Sequence, residues 1–162
     1  MDNIMTVLNV LLTIITGIGA YKSYIYYKKS KNITSLTKAN KALVEVEKML
    51  NKLPEILKAA NKEAKKSKGF SLVNTLSQIG VEMNTCLTNC RSDIPQEHIA
   101  GFMELQCDGG FKVQEYINAL INGEAIIDEN IDSKECSHCQ ERLIEMQLYL
   151  KKVISITEEK LK

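Results

Sequence analysis

The sequence predicts an all-α protein, with a single N-terminal transmembrane helix followed by a cytoplasmic helical bundle of four or five helices. Three observations support this prediction. An uncharged run of eighteen residues lies near the N-terminus, apolar residues recur at spacings of three and four after it, and only 2 of the 162 residues are proline. Such spacings place apolar side chains on one face of a helix, and no segment of strand length alternates with a period of two.

The uncharged run extends from Ile4 to Tyr21. At about 1.5 Å per residue it covers about 27 Å, close to the roughly 30 Å hydrocarbon core of a bilayer. The run ends in an aromatic and basic segment that contains Tyr21, Lys22, Tyr24, Tyr26, Tyr27, Lys28, Lys29 and Lys31. Because positive charge collects on the cytoplasmic side, we expect the N-terminus outside and the remaining chain inside, in the inner (cytoplasmic) membrane. A cleaved signal peptide is the alternative, but its charges would precede the apolar run.

Polar and small residues within this helix share one face, here called the polar stripe: Thr6, Asn9, Thr13, Thr16, Ala20 and Ser23. Their spacing of three and four aligns them along the helix. Facing lipid, the Asn9 amide would lack hydrogen-bond partners at a cost of several kcal/mol. The stripe is therefore expected to face other helices or water, either as a packing seam or as the lining of an oligomeric pore. Both interpretations require self-association.

Charge divides the chain, although its net value is only +1. Tyr21–Lys68 holds thirteen Lys against four Glu, whereas Gly69–Leu150 holds four Lys or Arg against thirteen Asp or Glu. We distinguish a transmembrane anchor with a basic juxtamembrane segment (1–31), a long heptad-patterned helix (32–68) and the remainder of the bundle (69–162). The lysines of the long helix are expected to be solvated beside anionic lipid. RNA binding is the alternative, but no aromatic residue interleaves with them to stack on bases.

The long helix is expected to bury a heptad seam made of Leu36, Ala39, Leu43, Val46, Leu50, Leu53, Leu57 and Ala60. Thr34 or Ser35 is the expected N-cap, and Pro54 should kink or restart the helix near Leu53. Further helices are expected at about Ser71–Arg91, Pro95–Cys107, Phe111–Ile121 and from Asp132 to near Lys162. The first follows a break at 65–69, and Asp132 with Glu135 resembles a capping box.

Five cysteines in a cytoplasmic domain should remain reduced. Cys86, Cys90, Cys136 and Cys139 have spacings that could supply four thiolates to zinc. They also fall on apolar helix faces, where a thiol packs as a small hydrophobe, so core packing without metal is the expected role, and redox chemistry is a third interpretation. No Gly-rich phosphate loop, Gly-x-Ser-x-Gly elbow or His-Glu-x-x-His motif occurs, and no cofactor is expected.

Six residues separate Arg91 from His98 across a predicted corner. This spacing resembles the Arg-x(4–6)-His signature of the HEPN superfamily, whose members are helical bundles and often metal-independent ribonucleases. The resemblance implies proton transfer by His98 and stabilisation of the developing phosphorane charge by Arg91. The chain departs from that pattern at Ser92, where the family has Asn, His or Asp, and at Pro95. The alternative is a structural Arg at a helix C-terminus and a half-buried His.

The layout of one membrane helix, a helical cytoplasmic domain and a degenerate Arg-x6-His motif resembles the small HEPN-like accessory membrane proteins of RNA-targeting type VI-B CRISPR loci. That resemblance implies a membrane pore that aids antiviral defence, with further copies of the chain, lipid, and RNA or an RNA-guided effector as partners. No small-molecule substrate is evident. Two other classes stay open, namely a membrane-tethered HEPN-like ribonuclease and a coiled-coil membrane scaffold without catalysis.

Overall fold

The computed structural model describes residues 2–63, 69–127, 130–131 and 133–162. Within them lie five α-helices: α1 (Asp2–Glu63), α2 (Gly69–Asp93), α3 (Ile99–Glu104), α4 (Val113–Asn122) and α5 (Ser133–Glu159). A 3-10 turn at Gln96–His98 precedes α3. The predicted all-α fold is confirmed. A break is expected at 65–69, of which residues 65–68 lie outside the described residues. Asp132 of the proposed capping box also lies outside them.

Two short antiparallel strand pairs lie between the helices. Strand β1 (Cys107–Asp108) pairs with β2 (Phe111–Lys112), and β3 (Ile126–Ile127) pairs with β4 (Asn130–Ile131). The first pair turns through Gly109 and Gly110, whose φ angles of 51° and 98° favour glycine. The expected helix from Pro95 to Cys107 is therefore wrong at both ends, because a 3-10 turn begins it and this hairpin ends it at Glu104.

Helix α1 is continuous from the apolar segment into the domain. The expected N-cap at Thr34 or Ser35 is wrong, because the Thr34 hydroxyl donates to the Ser30 carbonyl at 3.0 Å from within the helix. That bond satisfies the hydroxyl without ending the helix. The helix also continues through Pro54 and does not restart there. The apolar N-terminal segment and the part of α1 that packs in the domain therefore belong to one continuous helix.

The buried face of α1 is rotated slightly from the predicted heptad seam. Its fully covered residues are Ala39, Ala42, Val46, Met49, Leu53 and Ile56. Leu43 and Leu50 are only partly buried at the edge of the core, and Leu57 is 41% exposed. The side chain of Ala60 lies outside the described part. The expected seam is therefore wrong at Leu57 and lies at the edge of the core at Leu36, Leu43 and Leu50, because the apolar stripe is wide enough for either of two adjacent rows to face the core.

Helices α2 and α5 both pack on α1, and α4 packs on α2. The buried face of α5 consists of residues spaced three and four apart, namely Cys136, Cys139, Leu143, Met146, Leu150, Val153 and Thr157. The Cys90 thiol donates to the Ala42 carbonyl at 3.4 Å, which ties the end of α2 to the beginning of the packed part of α1. The Gln147 amide donates to the Glu47 carboxylate at 3.0 Å. The domain is thus assembled around residues 35–59 of α1.

Candidate functional site

The N-terminal part of α1 stands apart from the domain. It contains an 18-residue window with a mean hydropathy of 1.4, none of which is buried. Its large apolar side chains are well exposed, for example Val7 at 59% and Ile15 at 65%. By length and composition this helix is able to cross a membrane, and no other helix in the described residues meets that test. An apolar rod of this length left in water would expose a patch far larger than soluble monomers carry.

The polar stripe lies on this exposed helix, and most of its hydroxyls are already satisfied. Thr13 donates to the carbonyl of Asn9, and Thr16 donates to the carbonyl of Leu12, each at 2.8 Å. Such bonds to the preceding turn let threonine enter an apolar environment at little cost. The Asn9 side-chain amide has no such bond in the part of the chain described. Asn9 is therefore the member of the stripe that most needs an external partner.

A shallow groove runs along the same face. It is lined by Asn9, Leu12, Thr13, Thr16, Gly17 and Ala20. A Cβ atom added at Gly17 would have no neighbour within 4 Å, so the groove is open on the single chain. Small residues at this spacing allow a second helix to approach closely, and its polar groups would then reach Asn9. Ser23, the last member of the stripe, lies one turn beyond Ala20 and is exposed.

Arg91, one half of the HEPN-like pair, is held in a network of amides. Its Nε and Nη2 atoms donate to the Oε1 atom of Gln106 at 3.2 and 2.6 Å. Its Nη1 atom donates to the Oε1 atom of Gln114 at 2.9 Å, and the Gln114 amide donates to the Asn84 side chain at 2.9 Å. Gln106 is 3% exposed. The guanidinium therefore connects the end of α2 to the first hairpin and to α4.

His98, the other half of the pair, has a different neighbour. The Tyr149 hydroxyl lies 3.4 Å from its Nδ1 atom and donates to its carbonyl oxygen at 3.4 Å. The two rings meet edge to face with centroids 6.1 Å apart. The structure thus gives each member of the pair its own partners, Arg91 on the hairpin side and His98 against α5. Sequence reasoning missed Gln106, Gln114 and Tyr149, because nothing in their local sequence marks them as partners of this motif.

The cysteines proposed as alternative zinc ligands do not form a cluster. In the described ranges no group of three or more His, Cys, Asp or Glu side chains is placed to hold a metal ion. Burial raises the pKa of the Cys90 thiol to about 12, and burial together with the neighbouring Glu45 raises that of Cys86 to about 11. Burial also raises the pKa of Cys136 and of Cys139. A raised pKa disfavours the thiolate, which is the form in which a cysteine acts as a nucleophile in redox reactions.

A cleft of about 720 Å³ lies between the first hairpin, α4 and the beginning of α5. Phe111 and His138 meet there edge to face, with ring centroids 5.8 Å apart. The charged residues of its lining are Lys112, Glu115, Lys134, Glu135, Glu141 and Arg142. Acidic and basic groups balance, and Lys112 is paired with Glu115 at 2.6 Å, so the cleft shows no preference for one sign of ligand charge.

The fold and the exposed helix together define a class of protein. It is an all-α protein whose first helix begins with an exposed apolar segment long enough to span a membrane. The rest of that helix forms a packed domain with α2, α4 and α5, and α3 is a short fifth helix. Comparison of the chain with protein-family models, with curated proteins and with solved structures gives no match. The class is therefore defined by the fold and by the chemistry of the exposed helix.

Proposed function

We propose that this chain is a self-associating single-span membrane protein that forms an oligomeric pore. The observation that carries the proposal is the exposed apolar helix whose polar stripe includes Asn9, an amide that has no side-chain hydrogen bond within the described residues. A second copy of the chain is the simplest source of a partner, because the described residues contain no second apolar span. In a symmetric ring every Asn9 would meet its neighbour's stripe or the water inside.

The orientation in the proposal comes from charge. Lysines follow the apolar segment at Lys22, Lys28, Lys29 and Lys31, whereas Asp2 is the one charged side chain before it. The helical domain then lies in the cytoplasm and the N-terminus lies outside the inner membrane. This compartment agrees with five reduced cysteines, and no pair of the described cysteines forms a disulfide.

The use we propose for such a pore is membrane perturbation in antiviral defence, supported by the resemblance in layout to the accessory membrane proteins of type VI-B CRISPR loci. Arg91 and His98 favour a structural role over ribonuclease chemistry, because the Arg91 guanidinium is bonded to Gln106 and the His98 ring contacts the Tyr149 hydroxyl. A general acid and its charge-stabilising partner would instead face one common substrate position. Copies of the chain and lipid are the proposed partners, together with RNA or an RNA-guided effector.

The test replaces Asn9 and Thr13 together by Leu in the full-length protein. Insertion should be retained, because Leu is more favourable in the membrane than either residue. The particle mass in detergent should fall, or ion leakage from protein-loaded liposomes should be abolished, because the polar contact or lining is removed. Val7→Leu is the matched control, since it enlarges an apolar side chain that does not line the groove and is 59% exposed.

The outcomes separate the alternatives. Loss of leakage at unchanged mass means that the stripe lines a pore, and loss of mass means that it packs between helices. Unchanged mass together with unchanged leakage would overturn the proposal. A monomeric wild-type protein that cleaves RNA without metal would favour the tethered ribonuclease, and an oligomer that conducts no ions would favour the scaffold.

A further inference from the structure

A second cleft lies where α1 leaves the proposed membrane span and meets the end of the domain. It is lined by Tyr24, Tyr27, Lys28, Lys31, Asn32, Glu97 and Lys160. The tyrosines, two lysines and Asn32 come from consecutive turns of α1, whereas Glu97 belongs to the 3-10 turn and Lys160 directly follows α5. The tertiary structure thus brings together cations from two ends of the sequence.

The cleft carries a net positive charge. Three lysines face one carboxylate, and within the residues described none of the three forms an ion pair with an Asp or Glu side chain. The single carboxylate, Glu97, accepts a hydrogen bond from the Ser35 hydroxyl at 3.4 Å. Ammonium groups that line the same cleft repel one another and attract an anion. The cleft is therefore suited to a compact anion.

Its position along α1 indicates the source of that anion. Lys28 follows Tyr21, the last residue of the apolar segment, by seven residues, which is about 10 Å along a helix. Side chains of a helix lean toward its N-terminus, so Lys28 and Lys31 lean toward the membrane. The rings of Tyr24 and Tyr27 are 62% and 69% exposed and belong to a belt of the kind that settles at headgroup level. The cleft thus opens at the depth of lipid phosphates.

We propose that this cleft binds the phosphate of an anionic phospholipid headgroup, with Lys28, Lys31 and Lys160 as its ligands and the tyrosine hydroxyls as additional donors. The proposal rests on the membrane insertion of α1 in the proposed function, but not on the pore. Lipid bound there would join the end of α5 to the juxtamembrane turn of α1. The domain would then be held against the membrane surface by a bound lipid as well as by the helix itself.

The test measures lipid binding to the full-length protein purified in a neutral detergent. Phosphatidylglycerol, phosphatidylcholine and inorganic phosphate are titrated separately, and retained lipid is counted by native mass spectrometry while thermal unfolding is followed in parallel. We expect saturable binding of phosphatidylglycerol, and much weaker binding of the zwitterionic lipid and of inorganic phosphate. Saturation by inorganic phosphate without any by phosphatidylglycerol would assign the cleft to a soluble phosphate and overturn the lipid proposal.

Two substitutions at the same depth make the test specific. Lys28 lines the cleft, whereas the adjacent Lys29 is exposed and does not. Lys28→Gln and Lys160→Gln should each weaken phosphatidylglycerol binding about fivefold, the factor that corresponds to about 1 kcal/mol per lysine near an anionic surface. Lys29→Gln should change it much less. Equal effects of Lys28→Gln and Lys29→Gln, or no effect of Lys160→Gln, would mean diffuse attraction and refute the cleft.

The particle mass and liposome leakage of the same variants separate this inference from the proposed function. Lost lipid binding with normal mass and leakage in a cleft variant supports the cleft and leaves the pore standing. Retained lipid binding by a wild-type protein that is monomeric and does not leak supports the cleft while the pore fails.

Discussion

Replacing Arg91 by Ala tests most directly whether the HEPN-like pair is structural or catalytic. The substitution removes all three hydrogen bonds that the guanidinium donates to Gln106 and Gln114. Gln106 is 3% exposed, so water cannot easily take the place of the lost donors at its Oε1 atom. The hairpin and α4 would lose their polar connection to the end of α2.

The expected cost follows from these contacts. A buried acceptor left without a donor costs about 1–3 kcal/mol, and the lost charged hydrogen bond to the more exposed Gln114 adds about 1 kcal/mol. We therefore expect the Arg91→Ala protein to lose roughly 2–4 kcal/mol of unfolding free energy. For a chain of this size each kcal/mol lowers Tm by about 2–4 °C, so Tm should fall by about 4–16 °C.

The assay is thermal unfolding of the full-length protein in detergent, followed by circular dichroism, with RNA cleavage measured on the same preparations. Arg91→Lys should recover only part of the loss, because an ammonium cannot donate to both amides in the guanidinium geometry. His98→Ala should cost less, since His98 is half-buried and its contacts with Tyr149 are 3.4 Å long. An unchanged Tm in both alanine variants, together with loss of a metal-independent RNA cleavage, would refute the structural interpretation.

Three further predictions concern other parts of the chain. Iodoacetamide at pH 8 should modify the exposed Cys107 long before Cys90, because a pKa raised to about 12 leaves the Cys90 thiol almost entirely protonated. In the Cys107→Ser protein, mass spectrometry should therefore detect no fast-reacting thiol. Gly123→Ala should lower the free energy of unfolding by about 1–2 kcal/mol, since Gly123 ends α4 at a φ of 76°, and Gly123→Asn should cost less in the same thermal scans. A reporter fused after Lys162 should be active when it requires the cytoplasm and inactive when it requires the periplasm.

Each of these predictions has a contrary result. Rapid modification of Cys90 would mean that the core opens readily at α2. Equal stability of the Gly123→Ala and wild-type proteins would mean that the left-handed turn after α4 is not required. A working periplasmic reporter at Lys162 would reverse the orientation, place the cysteines in an oxidising compartment and make disulfides expected.

The helices could be predicted from local sequence, because apolar spacings of three and four are visible within a short stretch of residues. The exposed apolar segment of α1, the helical nature of the chain and the apolar residues buried by α5 follow from such spacings. Local sequence also predicted the polar stripe. In the structure the Thr13 and Thr16 hydroxyls donate to carbonyls of their own helix, so these two side chains do not need a partner outside it. What remained undetermined within the heptad region was which of two adjacent apolar rows would be buried.

Contacts between distant parts of the chain were decided only by the tertiary structure. The choice of Met49 over Leu50 for the core of α1 depends on how α2 and α5 pack on both sides of that helix. Arg91 and His98 are close in sequence, yet their side chains have different partners, because Arg91 lies in the last turn of α2 whereas His98 ends the following 3-10 turn and contacts α5. Lys160 reaches the juxtamembrane turn because α5 folds back along α1, a long-range arrangement that no local periodicity encodes.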